Sequence, residues 1–155
     1  MRRLRDSSEV REAADLLDAI LKDTQPRDGA SGGGRGERLR RILVQLCARA
    51  GFSAAAVASG DGLPLAAHGL PFPSEAAAAA ISIMAEALKR VADVAAQRAA
   101  SSVAIDLTYT DKLVLRRFAE GDATYYLLVL CPQDVDEHAE VEVSIDEIAS
   151  LVKGA

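Results

Sequence analysis

Residues 74–98 constrain this chain more than any other stretch. The run SEAAAAAISIMAEALKRVADVAAQR contains neither glycine nor proline and is dominated by strong helix formers. At about 100° per residue, Ala77, Ile81, Met84, Leu88, Val91 and Ala95 fall on one stripe. Ala76, Ala80, Ile83, Ala87 and Val94 form a second, adjoining stripe. Together the stripes cover roughly 200° of the wheel, about twice what one sheet face requires. The narrow remainder is polar, with Ser82, Glu86, Lys89, Asp93 and Gln97. A helix this apolar must bury two faces, one on its own sheet and one on something else. The alanines of the second stripe would let another helix backbone approach closely. Ser74 is placed to cap the helix.

The flanking segments supply the sheet. Residues 52–59 and 63–69 are short apolar strands around Gly60-Asp61-Gly62, a hairpin signal because Asp and Gly tolerate positive φ. Val103, Ile105, Leu107 and Tyr109 alternate with Ala104, Asp106 and Thr108, which predicts a half-buried strand over 103–109. Thr110-Asp111 then turns into a strand over 112–118, and Glu120-Gly121-Asp122 turns into one over 124–131. The last, TYYLLVLC, is nearly continuous in apolar residues and is expected at the centre of the sheet. Helices are predicted over 37–50, with Gly51 as its C′ residue, and over 137–152.

Ahead of this domain, residues 27–36 hold five glycines in ten positions, the composition of a flexible linker. Residues 1–26 are expected to form an amphipathic helical arm, with Val10, Ala13, Ala14, Leu17, Ile20 and Leu21 on one face. Such an arm either covers its own domain or docks on a partner. The expected organisation is therefore an arm over 1–26, a linker over 27–36 and a domain over 37–155.

Chemistry is sparse. The Gly-rich stretch lacks the lysine and the strand–loop–helix setting of a phosphate-binding loop. Cys47 and Cys131 sit singly in apolar runs, the pattern of buried hydrophobes and not of a disulfide framework or metal site. His68 and His138 have no neighbour at catalytic spacing. The acidic run from Asp134 to Glu142 lacks the glycine and ligand spacing of a calcium loop. It suits a helix N-terminus, and a weaker reading is an acidic docking surface. No catalytic residue, metal or cofactor is expected. A net charge of −5 argues against nucleic acid. No apolar run approaches a membrane span and no signal-peptide core is present, so the cytoplasm is the expected compartment.

The order helix, hairpin, helix, three strands, helix has a counterpart. With Gly51-Phe52, the hairpin SGDGLPLA over 59–66, Glu75 opening an Ala-rich helix, KLVL over 112–115 and YLLVL over 126–130, it resembles the Roadblock/dynein-light-chain family. The resemblance covers about residues 37–154, and the hairpin is its most specific piece. It implies an α+β fold: a five-stranded antiparallel sheet between one long helix and two shorter helices. It also implies homodimers in which the long helices pack together and the strand after them pairs with its twin. The expected interface is Ala76, Ala80, Ile83, Ala87 and Val94 with Val103, Ile105 and Leu107.

Family members bind Ras-like small GTPases or serve in larger assemblies. Bacterial members of the Mgl type stimulate GTP hydrolysis without supplying a catalytic arginine. The expected function is thus a non-enzymatic, dimeric regulator of a Ras-like GTPase. The alternative is a dimeric scaffold of a signalling or motor complex with no effect on hydrolysis. The GTPase-binding residues would be Ser82, Glu86, Lys89, Arg90, Asp93 and Gln97. The C-terminal extension that some bacterial members use on their GTPase has no counterpart here, which argues against a nucleotide-exchange role.

Overall fold

The computed structural model describes residues 34–97 and 100–153. The expected arm and most of the linker lie outside the described residues. The elements run α1 (Arg35–Ala50), β1 (Ala54–Ser59), β2 (Pro64–His68), α2 (Ser74–Val94), β3 (Ser102–Asp106), β4 (Asp111–Glu120), β5 (Ala123–Pro132) and α3 (His138–Lys153). This is the expected order, and α1 takes in the last two residues of the Gly-rich stretch.

One antiparallel sheet has the strand order β2-β1-β5-β4-β3. The strand expected at the centre, β5, is there. Helices cover both of its faces, which is why alternation fails along it. Leu127, Val129 and Cys131 point into the core beneath α1 and α3, and Leu128 and Leu130 into the core beneath α2. β1 divides in the same way. Ala55 and Val57 face α1 and α3, whereas Ala54, Ala56 and Ala58 face α2. Three alanines in a row on that face leave room for Ile81 and Met84 of α2 to sit close to the sheet.

Turn chemistry sets the element ends. Gly51 takes a left-handed φ of 76° and returns its N–H to the Cys47 carbonyl, as expected for C′. In the β1–β2 hairpin only Gly62, at φ 83°, is left-handed, so Asp61 does not use the freedom its sequence offers. The Gly62 N–H bonds Ser59 O at 2.8 Å, and the register slips between Val57 and Ala58. That is a bulged turn in place of a two-residue one.

The long helix differs from expectation at both ends. Pro73, in extended conformation, occupies the N-cap, and Ser74 is the first helical residue with no side-chain cap bond. The helix ends at Val94, four residues short of the expected end. There Gln97 N–H bonds Ala92 O and Ala96 N–H bonds Asp93 O, with Ala96 at φ 54°. This is a Schellman ending with alanine where glycine is usual. β3 is also shorter than expected. Leu107 and Thr108 both donate to Asp111 O, and the Thr108 hydroxyl accepts from the N–H groups of Thr110 and Asp111. The threonine builds a turn and stops the strand at Asp106.

The acidic run proves to be a set of ties. Glu137 is buried and accepts from Lys112 Nζ at 2.9 Å; the same ammonium donates to Val135 O at 3.1 Å. Glu140 pairs with Arg49 of α1, and Glu142 with Arg116 of β4. The run therefore fastens α3 to the sheet and to α1, and its carboxylates are largely committed within the fold.

Candidate functional site

The helix α2 meets its sheet with one stripe only. Ala77, Ile81, Met84, Leu88 and Ala92 are buried. Val91 and Ala95, expected on this stripe, are exposed: Val91 lies at its border and Ala95 lies past the helix end. The second stripe has no cover. Ile83 is 67% exposed, Val91 62% and Val94 89%, beside exposed Ala76 and Ala87 and half-buried Ala80. Large aliphatic side chains left in water on one continuous helix face mark a contact surface, since each forfeits about 1.5–3 kcal/mol of burial.

The sheet edge beside it is open as well. β3 is an outer strand that pairs with β4 alone. Val103 and Ile105 lie opposite Leu115 and Leu113, so they point to the α2 side of the sheet. Val103 packs on the same core as Ala80, whereas Ile105 is 42% exposed, and Leu107, beyond the strand, 48%. All eight residues expected at a dimer interface thus lie in one layer of the molecule, on α2 or at β3. Ala80 and Val103 are half-buried within the protomer and the other six are exposed.

The polar residues divide. Ser82, Glu86 and Lys89 line a cleft of about 300 Å³ closed by the hairpin turn Gly60-Asp61-Gly62 and by Arg117 and Tyr126 of the sheet. The turn lies so near the helix that a Cβ on Gly62 would stand 2.7 Å from Ser82 Oγ. Arg117 Nη2 donates to Ala100 O at 2.9 Å, and its register partner on β5 is Tyr126. Arg90 lies outside the cleft and pairs with Glu86 at 3.0 Å in full solvent. Asp93 is exposed on the last turn, and Gln97 falls beyond the helix, in the Schellman ending. Arg117, Tyr126 and the turn were absent from the expected site. The glycines of the turn were visible in sequence, but their position over α2 is a tertiary fact with no local signal.

Nothing in this layer resembles reaction machinery. Burial raises the thiol pKa of Cys47, and that of Cys131 to about 11, so both stay protonated at neutral pH. Among the described residues no three His, Cys, Asp or Glu side chains converge as a metal set, and no helix is long and apolar enough to cross a membrane.

The architecture has close parallels among solved structures. The gliding protein MglB of Thermus thermophilus superposes with a TM-score of 0.60 at 15% identity, over 78% of this chain and 90% of that one. A Roadblock/LC7 domain of Streptomyces avermitilis gives 0.57 at 19% identity, over 74% and 94%. The chain has the Roadblock/LC7 fold. MglB of Myxococcus xanthus shares it as well, with a TM-score of 0.56 at 12% identity over 76% and 86%. No family model matches the sequence, and no curated protein matches it either. The roadblock architecture thus persists here with little of its sequence. What remains is the order of elements, the glycine turn after β1 and the doubly apolar helix.

Proposed function

We propose that this chain is a dimeric, non-catalytic regulator that binds a Ras-like small GTPase and modulates its GTP hydrolysis or its localisation. The observation that carries the proposal is the uncovered face of α2 beside the open edge of β3. A second copy fits both at once: its α2 covers Ile83, Ala87, Val91 and Val94, and its β3 extends the sheet across the two-fold axis. Likeness to MglB supports this reading, and one solved MglB of the same fold, at 17% identity and a TM-score of 0.57, has a tetrameric arrangement.

In such a dimer the polar rows of the two long helices lie side by side. Glu86, Lys89, Arg90 and Asp93 then form a platform of mixed charge, which favours register and partner choice over raw attraction. The regulator acts by holding the GTPase's own switch segments in one arrangement, with no residue of its own entering the chemistry. Arg90 is paired with Glu86 and serves as a rim contact, not as an arginine finger.

The test uses the tagged full-length chain to capture Ras-like GTPases from its own organism, followed by phosphate-release assays on what is captured. Replacing Glu86, Lys89 and Arg90 by alanine is expected to weaken capture and any stimulation at least about tenfold, the loss of roughly 1.4 kcal/mol, while light scattering still shows a dimer. Capture without any change in phosphate release supports the alternative, a scaffold. A triple variant that behaves as the parent places the GTPase elsewhere.

A further inference from the structure

The opposite layer of the molecule holds a second surface that the proposed function does not use. A groove of about 560 Å³ runs between α1 and α3. Ile42 and Leu151 give it an apolar floor, Arg38, Arg41 and Gln45 line its α1 side, and Glu147 lines its α3 side. Arg38 and Arg41 are exposed; no described residue pairs with Arg38, and Arg41 comes no nearer than 3.9 Å to Glu37.

We propose that the occupant of this groove is the chain's own residues 8–23, laid as a helix antiparallel to α1. Three observations lead there. The first is reach. Ten residues separate Asp23 from Gly34, and ten can span up to about 35 Å. The groove begins within the first two turns of α1, roughly 10 Å from where the described chain starts.

The second is apolar fit. Val10, Ala13, Leu17, Ile20 and Leu21 form a stripe that needs cover, and Ile42 and Leu151 offer it.

The third is charge, and it is handed. One flank of the stripe carries Glu9, Glu12 and Asp23; the other carries Arg11 and Lys22 with Asp18. α3 lies on the Arg38–Gln45–Arg49 side of α1, as the Arg49 bonds to Glu140 and Ser144 fix. A right-handed helix laid antiparallel to α1, stripe down, then has its acidic flank over Arg38 and Arg41. Its basic flank lies over Glu147. A parallel helix would oppose like charges on both rims.

The sequence holds no tryptophan, so Gln45→Trp in the full-length chain gives one reporter in the groove. Its emission is expected to be blue-shifted and several-fold less open to acrylamide quenching than in the same chain carrying Leu17→Asp and Ile20→Asp. Arg38→Glu with Arg41→Glu is expected to release the segment equally, and adding Glu9→Arg, Glu12→Arg and Asp23→Arg to restore it. Equal quenching with and without the Leu17 and Ile20 changes overturns the proposal. So does protection regained when the Leu17/Ile20 variant is mixed with the parent, which would seat a second copy's segment in the groove. Should Gln45→Trp not fold, hydrogen exchange on the parent decides: amides of residues 10–21 exchange several-fold more slowly than in the Arg38/Arg41 variant, and equal rates overturn the proposal. Each readout is independent of GTPase binding and of the α2 face, so it stands or falls apart from the proposed function.

Discussion

Single residues carry more of this fold than their chemistry advertises. Lys112 and Glu137 have side chains only 16% and 10% exposed, and they lock β4 to the entry of α3. Burial pushes the Glu137 carboxyl up, but the Lys112 hydrogen bond and charge outweigh it and hold the pKa below its ordinary 4.5. The same hydrogen bond raises Lys112 above its ordinary 10.5. The depressed carboxyl contributes stability that is present above pH 4.5 and lost as pH falls through the folded value; the raised ammonium contributes stability present below pH 10.5 and lost as pH rises past its folded value. The melting temperature should therefore change little with this pair between those limits and fall outside them. Glu137→Gln should cost about 3 kcal/mol by chemical denaturation and remove the acid limb due to this carboxyl, because it strands a buried ammonium. Ala96 is the opposite case. Its left-handed backbone at φ 54° is a strain glycine would relieve, so Ala96→Gly should stabilise by about 1 kcal/mol, read the same way. Neither role was legible in sequence. The lysine and glutamate are 25 residues apart, and an alanine gives no helix-stop signal.

At the scale of elements the sequence speaks more clearly, and its silences have causes. Every strand and helix among the described residues is foreshadowed by period, glycine or proline. β5 betrayed its central place because burial on two sides removes alternation. The ends were harder to read. β3 keeps its apolar alternation through Tyr109, yet a threonine hydroxyl bends the backbone at Leu107. The candidate interface was legible for the same reason as the fold: a helix with two apolar stripes and one sheet has a face left over. The cleft beside it was not, since it depends on a hairpin folding back over Ser82. Ile83→Glu together with Ala87→Glu should convert the proposed dimer to monomer by light scattering, because pairing the helices would bury unpaired charge at a cost of several kcal/mol. Helix content by circular dichroism should be unchanged, as both residues are exposed in the protomer.

For the whole molecule, the pairing of β1 with β5 sets the order in which the chain can become a protein. β3, β4 and β5 form a meander of neighbours, each joined to the next by a short turn. β1 instead waits for a partner about seventy residues downstream, with Ala54 opposite Leu130 and Ser59 opposite Tyr125. Until residues 123–132 have left the ribosome, the β1–β2 hairpin has one side bare, α1 rests on half a core and α2 has little sheet beneath it. The N-terminal half is thus no folding unit of its own, and its apolar surface has to be kept from wrong partners while synthesis continues. A stalled or truncated chain that ends before β5 would present an alanine-rich helix and an unpaired strand together, a species for chaperones and proteases and not a smaller roadblock domain.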